Sequence, residues 1–444
     1  MKNTHFFAAL ALSLATLLTA CGGGGSSGAP SLPPPGVISG TVTSGSPAVA
    51  LSGVSVIVFN ANTNAPAAAT VLTDVNGKYS FSLQAGSYYV KFNKQAYNPV
   101  PASVLLAPVP MAVASGVITP NNVLMTASAL LNTGWISGKV SIGGTGVPGV
   151  LVAAEATGVA YTSFTDNSGN YTIFNVPAAS YGMKAYIKGF SSAAATATVT
   201  SGAATSSNLS LTAGALAAVP VNFNLIAQTG VTTPAAMVVS LVHPVTRETI
   251  PGMSLIQAFS SSMSYSFSNV ADGNYFVRAT FANDTIVVDP DYIVKFGEPS
   301  VTVSSAVATP NPVQITATGA VGLSSPTNAL TSTVPVQVTG TTPTFSWNSY
   351  PSSSDYVIEV MDASTGTVVW GGFSGMGTAT PTKNIVIPSA QTSVVYNSDG
   401  LASAALEVGK TYRWRIYASK NQTAAPGWGL ISMSEDQMGL ITIK

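Results

Sequence analysis

Apolar and polar residues alternate one by one in short runs along most of the chain. KYSFSL at 78–83 and NYTIFNV at 170–176 are typical, and each run is bounded by glycine, proline, asparagine or serine. A period of two is typical of a half-buried β-strand. Outside the first twenty residues we find no convincing helical period. The pattern predicts an all-β chain of tandem antiparallel β-sandwiches.

Parts of this pattern recur along the chain. VISGTV at 37–42 returns as WISGKV at 135–140, and YTIFNVPAASY at 171–181 matches YSFSNVADGNY at 265–275. Such self-similarity indicates repeated structural units. The repeats predict three related sandwiches, the third with degenerate ends, at 36–130, 131–214 and 215–318.

The three units resemble carboxypeptidase regulatory-like domains, which have a transthyretin-like and carbohydrate-binding-like fold. The resemblance lies in the opening ISG(T/K)V, in TDxxGxY at 73–79 and 165–171, and in GSYYVKF at 86–92. In carboxypeptidases such domains accompany a catalytic domain and do no chemistry. In bacterial surface proteins they serve as spacers, adhesive modules or attachment domains, so the resemblance implies a non-catalytic role.

The last segment, 319–444, has a different pattern. LEVGKTY places Leu406, Gly409 and Tyr412 in an L-x-x-G-x-x-Y spacing. This spacing resembles the tyrosine corner of fibronectin type III domains, in which the tyrosine hydroxyl bonds to nearby backbone. The resemblance implies a fourth sandwich, with Trp347 in its core and Tyr412 at its corner.

The amino end carries a targeting signal. A positive charge at Lys2 precedes an apolar run at 6–18, which is too short to span a bilayer and suits a signal peptide. The sequence LTAC ends at Cys21, the single cysteine, and a Gly/Ser/Pro-rich stretch follows it. An ordinary secretory signal with a chance cysteine is the alternative.

LTAC resembles the lipobox of bacterial lipoproteins. The resemblance implies a signal peptide at 1–20, an acylated Cys21 that anchors the chain in a lipid bilayer, and a tether at 21–35. Gly22, in place of an aspartate after the cysteine, implies the outer membrane in diderm bacteria. The folded part is then expected at the cell surface or facing the periplasm.

Charge narrows the range of partners. The chain has 16 basic and 16 acidic residues, and only 7% of its residues are charged. Such a chain has no field that attracts nucleic acid, so we expect no nucleic-acid partner. A surface solvated mainly by serine, threonine, asparagine and glutamine fits an extracellular β protein.

The two TD segments raise the question of a metal site. Asp74, Asn76 and Gly77 have the spacing that opens a helical calcium loop, but Lys78 stands at the fifth position and Ala85 at the twelfth. Neither segment has the second carboxylate. Asp, Asn and Gly also form tight turns between strands. We therefore predict turns, and a weak calcium site is the alternative.

Other candidate chemistry is sparse. His243 is the single histidine after the signal peptide, in SLVHPVTRETIPG, and is predicted to be a solvated loop residue. A zinc site needs several clustered ligands, and a Ser-His-Asp arrangement needs a nucleophile context that the chain lacks. Asp284, Asp289 and Asp291 lie in one loop and are a weak calcium candidate. We expect no cofactor and no enzyme activity.

A lysine–asparagine isopeptide crosslink, found in related Gram-positive surface sandwiches, is also considered. Lys139 and Asn208 are the candidate pair, but Ala185 occupies the position expected for the catalytic carboxylate. The crosslink is therefore not expected to form.

Two tryptophans are candidates for stacking on sugar rings. Trp370 in VVWGGFSGMG and Trp428 in APGWGLIS lie in glycine-rich contexts that suggest exposed loops. The alternative is that both cover an end of the sandwich or a domain junction.

Together these features predict a lipid-anchored bacterial surface protein that is structural or adhesive, with a polysaccharide or envelope protein as its partner. A subunit of an envelope assembly joined through sheet edges is the main alternative. An accessory module of a carbohydrate- or peptide-processing enzyme system is a third.

Overall fold

The elements of the described chain are β-strands, and the prediction of an all-β fold with tandem sandwiches is confirmed. The computed structural model describes residues 33–101, 110–130, 132–214, 216–226, 236–258, 262–281, 286–288, 290, 298–306, 310–329, 334–363, 366–375, 380–435 and 438–444. Within these ranges no helix is both long enough and apolar enough to cross a membrane. The four sandwiches belong to one compact unit, residues 35–444.

The first sandwich contains the strands β1 Gly36–Ser44, β2 Val49–Ala50, β3 Ser55–Asn60, β4 Val71–Leu72, β5 Lys78–Leu83, β6 Gly86–Asn93, β7 Met111–Val113, β8 Ile118–Pro120 and β9 Val123–Met125. One sheet has the order β2-β1-β5, and β8 and β9 also pair with β1. The other has the order β4-β3-β6-β7. Strand β5 alternates buried and exposed residues, as its sequence predicts.

The second sandwich contains β10 Thr133–Ile142, β11 Thr145–Gly146, β12 Leu151–Ala156, β13 Val159–Phe164, β14 Asn170–Pro177, β15 Ser180–Tyr186, β16 Ser191–Ser192, β17 Ala195–Thr198, β18 Ala204–Ser206 and β19 Leu209–Thr212. One sheet has the order β11-β10-β19-β16, with β14 and β18 also paired to β10. The other has the order β13-β12-β15-β17.

The third sandwich contains β20 Ala217–Leu225, β21 Ala236–Val242, β22 Thr249–Ala258, β23 Ser262–Val270, β24 Gly273–Phe281, β25 Ile286–Val288, β26 Ser300–Val303 and β27 Val313–Gly319. Its sheets have the orders β23-β20-β27-β25 and β22-β21-β24-β26. As in the first two sandwiches, the opening strand pairs antiparallel with at least one strand and parallel with at least one later strand. The third unit thus shares this layout although only its middle resembles the others in sequence.

The fourth sandwich contains β28 Leu323–Ser325, β29 Val336–Val338, β30 Thr344–Trp347, β31 Asp355–Asp362, β32 Val368–Gly371, β33 Phe373–Ser374, β34 Thr382–Lys383, β35 Ile387–Pro388, β36 Ser393–Val395, β37 Thr411–Asn421, β38 Trp428–Met433 and β39 Leu440–Ile443. A small sheet, β28-β30-β36, faces a larger one with the order β29-β39-β37-β31-β32. Trp347 and Tyr412 are buried in the core between them, as predicted.

The first and second sandwiches each have a core of their own, and a further hydrophobic cluster joins the core of the third to buried residues of both. Strands β3 and β12 are buried on both faces over most of their length, so each contributes to its own sandwich and to a neighbour. Phe59 of the first sandwich packs edge-on against Phe164 of the second, with ring centroids 5.5 Å apart. Tyr186 of the second packs against Tyr275 of the third at 6.2 Å. The sandwiches therefore share buried surface and are not separated by solvent.

Candidate functional site: the joints between the sandwiches

The repeated TD segments are turns. In the first, the Asp74 carboxylate oxygen Oδ1 accepts hydrogen bonds from the backbone N–H groups of Asn76 and Lys78, at 2.9 and 2.8 Å. In the second, Asp166 accepts equivalent bonds from Ser168 and Asn170, both at 2.8 Å. Each aspartate bonds its own main chain in the way that stabilises a tight turn. The turn prediction is confirmed.

The glycine of each turn is required by its conformation and by its neighbours. Gly77 and Gly169 have φ angles of +70° and +82°, which disfavour any residue with a Cβ. A Cβ at Gly77 would lie 2.4 Å from the carbonyl oxygen of Val42, and one at Gly169 would lie 2.6 Å from that of Val140. The TDxxGxY segment therefore fixes the turn against the first strand of its sandwich.

The two tryptophans proposed to stack on sugars are buried, so that prediction is wrong for this structure. Trp370 is 2% exposed, and its indole N–H donates to Asp399 at 2.8 Å. Trp428 is 7% exposed and stacks on Phe373, with ring centroids 5.7 Å apart. A sugar platform needs an open aromatic face, which neither indole presents.

Several predicted positions lie outside the described residues. These are Cys21, with the signal peptide and most of the tether, and the calcium candidates Asp284, Asp289 and Asp291. Within the described ranges, no group of three or more His, Cys, Asp or Glu residues could hold a metal ion. Asn208 accepts a hydrogen bond from the backbone N–H of Lys139 at 2.9 Å, and Ala185 is buried on β15.

His243 is not a solvated loop residue, and the prediction for it is wrong. Its side chain is 0% exposed and lies between the second and third sandwiches. Nε2 lies 3.0 Å from Oε1 of Glu155 in the second sandwich. Nδ1 faces the backbone N–H groups of Val245 and Thr246, at 3.3 and 3.1 Å. Because Nδ1 accepts these bonds, we assign the proton to Nε2, which donates to Glu155.

Glu155 collects further contacts within its own sandwich. The hydroxyl of Tyr186 donates to the same carboxylate oxygen, and the Tyr186 ring meets the His243 ring edge-on at 5.3 Å. Burial alone would raise the pKa of Glu155. The hydrogen bonds from His243 and Tyr186, together with the positive charge of Lys184, hold the pKa of that carboxyl below its usual value. The ionised carboxylate is thus the form that the joint favours.

A second carboxylate, Glu248, contacts all three sandwiches. It belongs to the third sandwich, at the end of the 243–248 loop that joins β21 to β22. It accepts a hydrogen bond from the hydroxyl of Thr162 in the second sandwich and lies 3.6 Å from the Lys91 ammonium of the first. Thr246 in the same loop donates to it at 3.2 Å. The 243–248 loop is therefore inserted where three sheets meet.

The loop is also fixed by the third sandwich. Arg278 donates to the backbone carbonyl of Arg247 at 3.2 Å and forms a two-point hydrogen bond with Glu298. Arg247 pairs with the same Glu298 at 3.3 Å, and its guanidinium lies over the ring of Phe276 at 3.6 Å. These contacts hold the loop in place, since a bidentate pair restricts geometry as well as adding energy.

Charged residues are concentrated at this junction. The chain has 16 basic and 16 acidic residues, and at least nine of those in the described ranges lie at or beside the boundary between the third sandwich and the first two. They are Lys91, Glu155, Lys184, Lys188, Arg247, Glu248, Asp272, Arg278 and Glu298. Buried and paired charges fix register and orientation more than they add stability. More than a quarter of the charged residues of this chain therefore lie at this one boundary.

The joint between the first and second sandwiches is polar and centred on Asn175. Its side-chain oxygen accepts from the N–H of Ala96 at 2.9 Å, and its amide nitrogen donates to the carbonyls of Lys94 and Tyr97 at 3.0 Å each. Its backbone N–H donates to the side chain of Gln95 at 2.8 Å. Asn175 thus provides hydrogen-bond partners for several polar groups of residues 94–97 in the first sandwich.

A related backbone contact occurs one sandwich later. Asn269, which aligns with Asn175 in the repeat, accepts a hydrogen bond through its backbone carbonyl from the N–H of Gly189 at 3.0 Å. Gly189 and Ala96 both have positive φ, and both donate to the asparagine of the next sandwich. Leu83 occupies this position in the first sandwich. The repeated asparagine therefore marks the sandwiches that contact a preceding one.

These groups can hold the sandwiches in a fixed alignment. Because they are buried, none of the described nucleophiles next to His243 is accessible to a substrate. Sequence reasoning missed Glu155, Tyr186, Glu248 and Lys91 as joint residues. One signal was present, because Glu155 is a charged residue in the otherwise apolar strand LVAAEA. The asparagines were visible as a repeated pair, without an indication of their role.

Comparison with protein families agrees with the resemblance seen in the sequence. Residues 37–111 and 136–212 match the carboxypeptidase regulatory-like domain. These ranges fall on the first and second sandwiches, so the chain carries two such domains. No curated protein shows significant similarity to the chain.

Solved structures with local similarity are bacterial proteins of low identity. The Bacillus anthracis TIE protein is 13% identical over 64% of this chain, with a TM-score of 0.17, and the aligned region spans about half, 51%, of that protein. BcpA, the major pilin subunit of Bacillus cereus, is 11% identical over 64% of this chain and 99% of its own, with a TM-score of 0.18. A streptococcal ancillary pilin is 12% identical over 56% of this chain and 81% of its own, at 0.20. Similarity at this level carries no conclusion about function.

Proposed function

We propose that this chain, with its two carboxypeptidase regulatory-like domains, is a non-catalytic surface lipoprotein that presents a stiff arm of β-sandwiches from a bacterial outer membrane. The observation that carries the proposal is the contact of Glu248 with three sandwiches at once. Loosely tethered binding modules have no need of such a joint, whereas an arm that holds a face at a fixed position does. The regulatory-like domains accompany catalysis in other proteins without performing it, which also supports a non-catalytic role.

The anchor is assigned to Cys21, after cleavage of a signal peptide at 1–20. A single acyl chain binds membranes marginally, at about 0.8 kcal/mol for each buried methylene, so two or more chains would hold the protein there. Metabolic labelling with an alkyne-palmitate in a diderm host tests this assignment. We expect label in the outer-membrane fraction, and loss of label and of membrane association in Cys21→Ser. Labelled Cys21→Ser protein would refute it.

The fourth sandwich is proposed to be a fibronectin type III-like domain. The proposal is supported by a three-stranded antiparallel sheet beside a larger sheet. The hydroxyl oxygen of Tyr412 accepts a hydrogen bond from the backbone N–H of Glu407 at 3.0 Å, which is the expected chemistry of a tyrosine corner.

The stiffness of the arm is tested by thermal unfolding of a protein that begins at Gly22. If the first three sandwiches form one arm, calorimetry gives one transition for all three, and loss of the Glu248 contacts splits it. Three transitions in the unaltered protein would contradict the proposal and favour independent modules.

A role as a subunit of an envelope assembly is a second candidate. It is favoured by β5, β14 and β23, which pair with a neighbour on one side only among the described strands. Such edges can accept a strand from another protein. Crosslinking on intact cells tests this role: a discrete crosslinked complex supports an assembly, and an uncrosslinked chain supports a free-standing arm.

A further inference from the structure

Strand β23, Ser262–Val270, forms an edge of its sheet and pairs with β20 alone among the described strands. Its nine residues include no proline and no charged residue. Proteins usually protect a long edge strand from other chains with a charge, a proline or a covering loop. The edge of β23 is thus open to a strand from outside the sandwich.

Other edge strands of the sandwiches carry such protection. Lys78 begins β5, and Pro177 ends β14. Strand β22, the edge of the other sheet in the third sandwich, contains Pro251, and the carbonyl of Pro251 accepts a hydrogen bond from the N–H of Lys188 at 3.0 Å. Among the described residues, the edge of β23 is occupied at its far end, where the second sandwich bonds to Asn269.

Alternate residues of β23 direct their backbone groups out of this edge. The N–H of Ile226, directly after β20, donates to a carbonyl of β27, so the even-numbered residues of β20 bond toward β27. The odd-numbered residues then bond toward β23, where Val221 lies opposite Tyr265. Because Tyr265 bonds back to β20, the N–H and carbonyl groups of its neighbours Ser264 and Ser266 point away from the sheet.

The sequence of this edge is a near-palindrome about Tyr265. Ser264 and Ser266 flank the tyrosine, Met263 and Phe267 follow, and a serine stands at the next position on each side. When two such strands pair antiparallel with Tyr265 at the centre, serine lies opposite serine and apolar residue opposite apolar residue. Ser264 of one copy then faces Ser266 of the other, and their outward backbone groups bond to each other.

The side chains also suit the pairing of two copies. Ser264 and Ser266 are exposed, and the Ser264 hydroxyl donates to the side chain of Asn222 at 2.9 Å, so the serines lie on the polar outer face. Met263 and Tyr265 lie on the inner face and are partly buried against the core. Pairing places Tyr265 opposite its own copy, and cross-strand aromatic pairs stabilise a sheet. It brings no like charges together.

Symmetry limits the assembly to two copies. A two-fold pair uses the β23 edge of both chains, so neither edge is left for a third. The opposite edge of the same sheet is β25, Ile286–Val288, which has three residues. An edge this short is a poor template for another strand, so the pair does not grow into a fibre.

We propose that β23 pairs antiparallel with β23 of a second copy of this chain, centred on Tyr265, and joins two third sandwiches through one continuous sheet. The inference rests on the proposed function, whose second candidate is an assembly through sheet edges, and names the strand and the partner. A contact of one strand from each chain is smaller than the roughly 1,200–2,000 Å² of a stable interface, so it is weak in free solution. Two chains anchored in one membrane have a higher effective concentration, which favours the pair.

Light scattering of the full chain in detergent, over a concentration series and with the detergent mass subtracted, measures the pairing. We expect a dimer that dissociates on dilution. In the double variant Ser264→Lys/Ser266→Lys, lysine faces lysine across the pair, so we expect a dissociation constant at least about tenfold higher. A monomer at every concentration, or a dimer that the lysines do not weaken, would overturn the proposal.

A variant of opposite charge separates lost pairing from a damaged fold. Ser264→Glu/Ser266→Glu alone should pair as poorly as the lysine variant. An equal mixture of the two places glutamate opposite lysine and should restore the dimer. Absence of a dimer in the mixture of folded variants would overturn the register centred on Tyr265. If circular dichroism shows one variant to be unfolded, the other is still compared with the unaltered chain.

Ser80→Lys/Ser82→Lys is the matched control. These serines are exposed at the same spacing on β5, an edge strand of the first sandwich. The control should leave the dimer unchanged, and an equal loss of pairing would overturn the assignment to β23. Association of acyl chains within one micelle does not depend on charges on either strand, so it cannot mimic the expected result.

The outcomes separate this proposal from the function on which it rests. A chain that is labelled with palmitate at Cys21 and stays monomeric overturns the pairing alone. An unlabelled chain that forms the β23 dimer overturns the anchor alone. If crosslinking on intact cells finds a different protein at β23 in place of a second copy, the assembly role is supported and the self-pairing is overturned.

Discussion

His243 and Glu155 join two sandwiches through a 3.0 Å hydrogen bond in which the histidine is 0% exposed. Hydrogen bonds to an ionised group contribute about 1.5–3 kcal/mol each, more than neutral ones. We expect Glu155→Gln to lower the free energy of unfolding by about 2 kcal/mol, since the partners stay buried and lose a charged acceptor. Urea denaturation of the chain from Gly22 onward measures the change.

Glu407→Gln is the matched control for that variant. Glu407 pairs with Lys410 at 2.7 Å in an ion pair that is largely exposed. Exposed ion pairs are screened by solvent and contribute little, so loss of this pair should change the denaturation midpoint little. Equal effects of the two substitutions would show that the His243–Glu155 contact has no special role.

The lowered pKa of Glu155 predicts an acid dependence of the joint. The pKa of this carboxyl is lower in the folded state than in the unfolded chain, where it is about 4.3. Its contribution is therefore complete above that value and is lost as the pH falls through the folded pKa. Thermal unfolding from pH 7 to 3 should show a drop in stability below about pH 4.3 that is smaller in Glu155→Gln. If stability fell equally with pH in the unaltered protein and in Glu155→Gln, Glu155 would not be the cause of the acid dependence.

Asn175 is expected to be the most sensitive polar residue of the first joint. Asn175→Ala removes the contacts with Ala96, Lys94 and Tyr97 and places alanine at φ +57°, a conformation that costs a residue with Cβ about 1–2 kcal/mol. We expect a loss of more than about 2 kcal/mol in urea denaturation, with increased protease cleavage between the sandwiches. Asn175→Gly relieves the backbone and lacks the side chain, so a similar loss in both variants would assign the effect to the hydrogen bonds. If both variants were as stable as the unaltered protein, the contacts of Asn175 would not stabilise the joint between the first and second sandwiches.

Substitution of the turn glycines should destabilise the protein more than substitution of glycines that have a positive φ but no close neighbours. Gly169→Ala meets both a positive φ and the carbonyl of Val140, whereas Gly158 has φ +74° and no neighbour within 4 Å of an added Cβ. We expect Gly158→Ala to lower the free energy of unfolding by about 1 kcal/mol and Gly169→Ala to lower it by clearly more. Calorimetry of the two proteins tests this, and equal losses would mean that close packing at Gly169 contributes nothing.

Trp370 and Trp428 should behave as core residues. Replacement of a buried tryptophan by alanine costs about 3–5 kcal/mol through lost packing and the cavity that remains. We expect Trp370→Ala to destabilise the fourth sandwich by this amount, which urea denaturation followed by circular dichroism measures. A variant as stable as the unaltered protein would contradict a role for Trp370 in the core of that sandwich.

Local features of this chain were predictable from its sequence, and contacts between sandwiches were not. The TD turns depend on residues within a few positions of Asp74 or Asp166, so the letters alone identify them. His243 is buried by Glu155 and Tyr186 of another sandwich, and nothing near it in the sequence indicates that burial.

The error on Trp370 has a different origin. The glycines that follow it suggested an exposed loop. However, Gly371 of β32 is paired with Glu359 of β31, and a Cβ added to it would be 2.0 Å from the carbonyl oxygen of Ile358. The glycine allows close packing of two strands and does not mark exposure.

Each sandwich contains a parallel pair between an early strand and a late one. Strand β1 pairs with β8 and β9, β10 with β18 and β19, β20 with β27, and β29 with β39. Pulling on the two ends of such a sandwich draws the paired strands past each other along their length. Many hydrogen bonds are then loaded together, whereas an antiparallel hairpin pulled at its ends opens one bond at a time. The arrangement suits a protein that must resist mechanical tension, and a force-extension measurement between Gly22 and Lys444 would record that resistance directly.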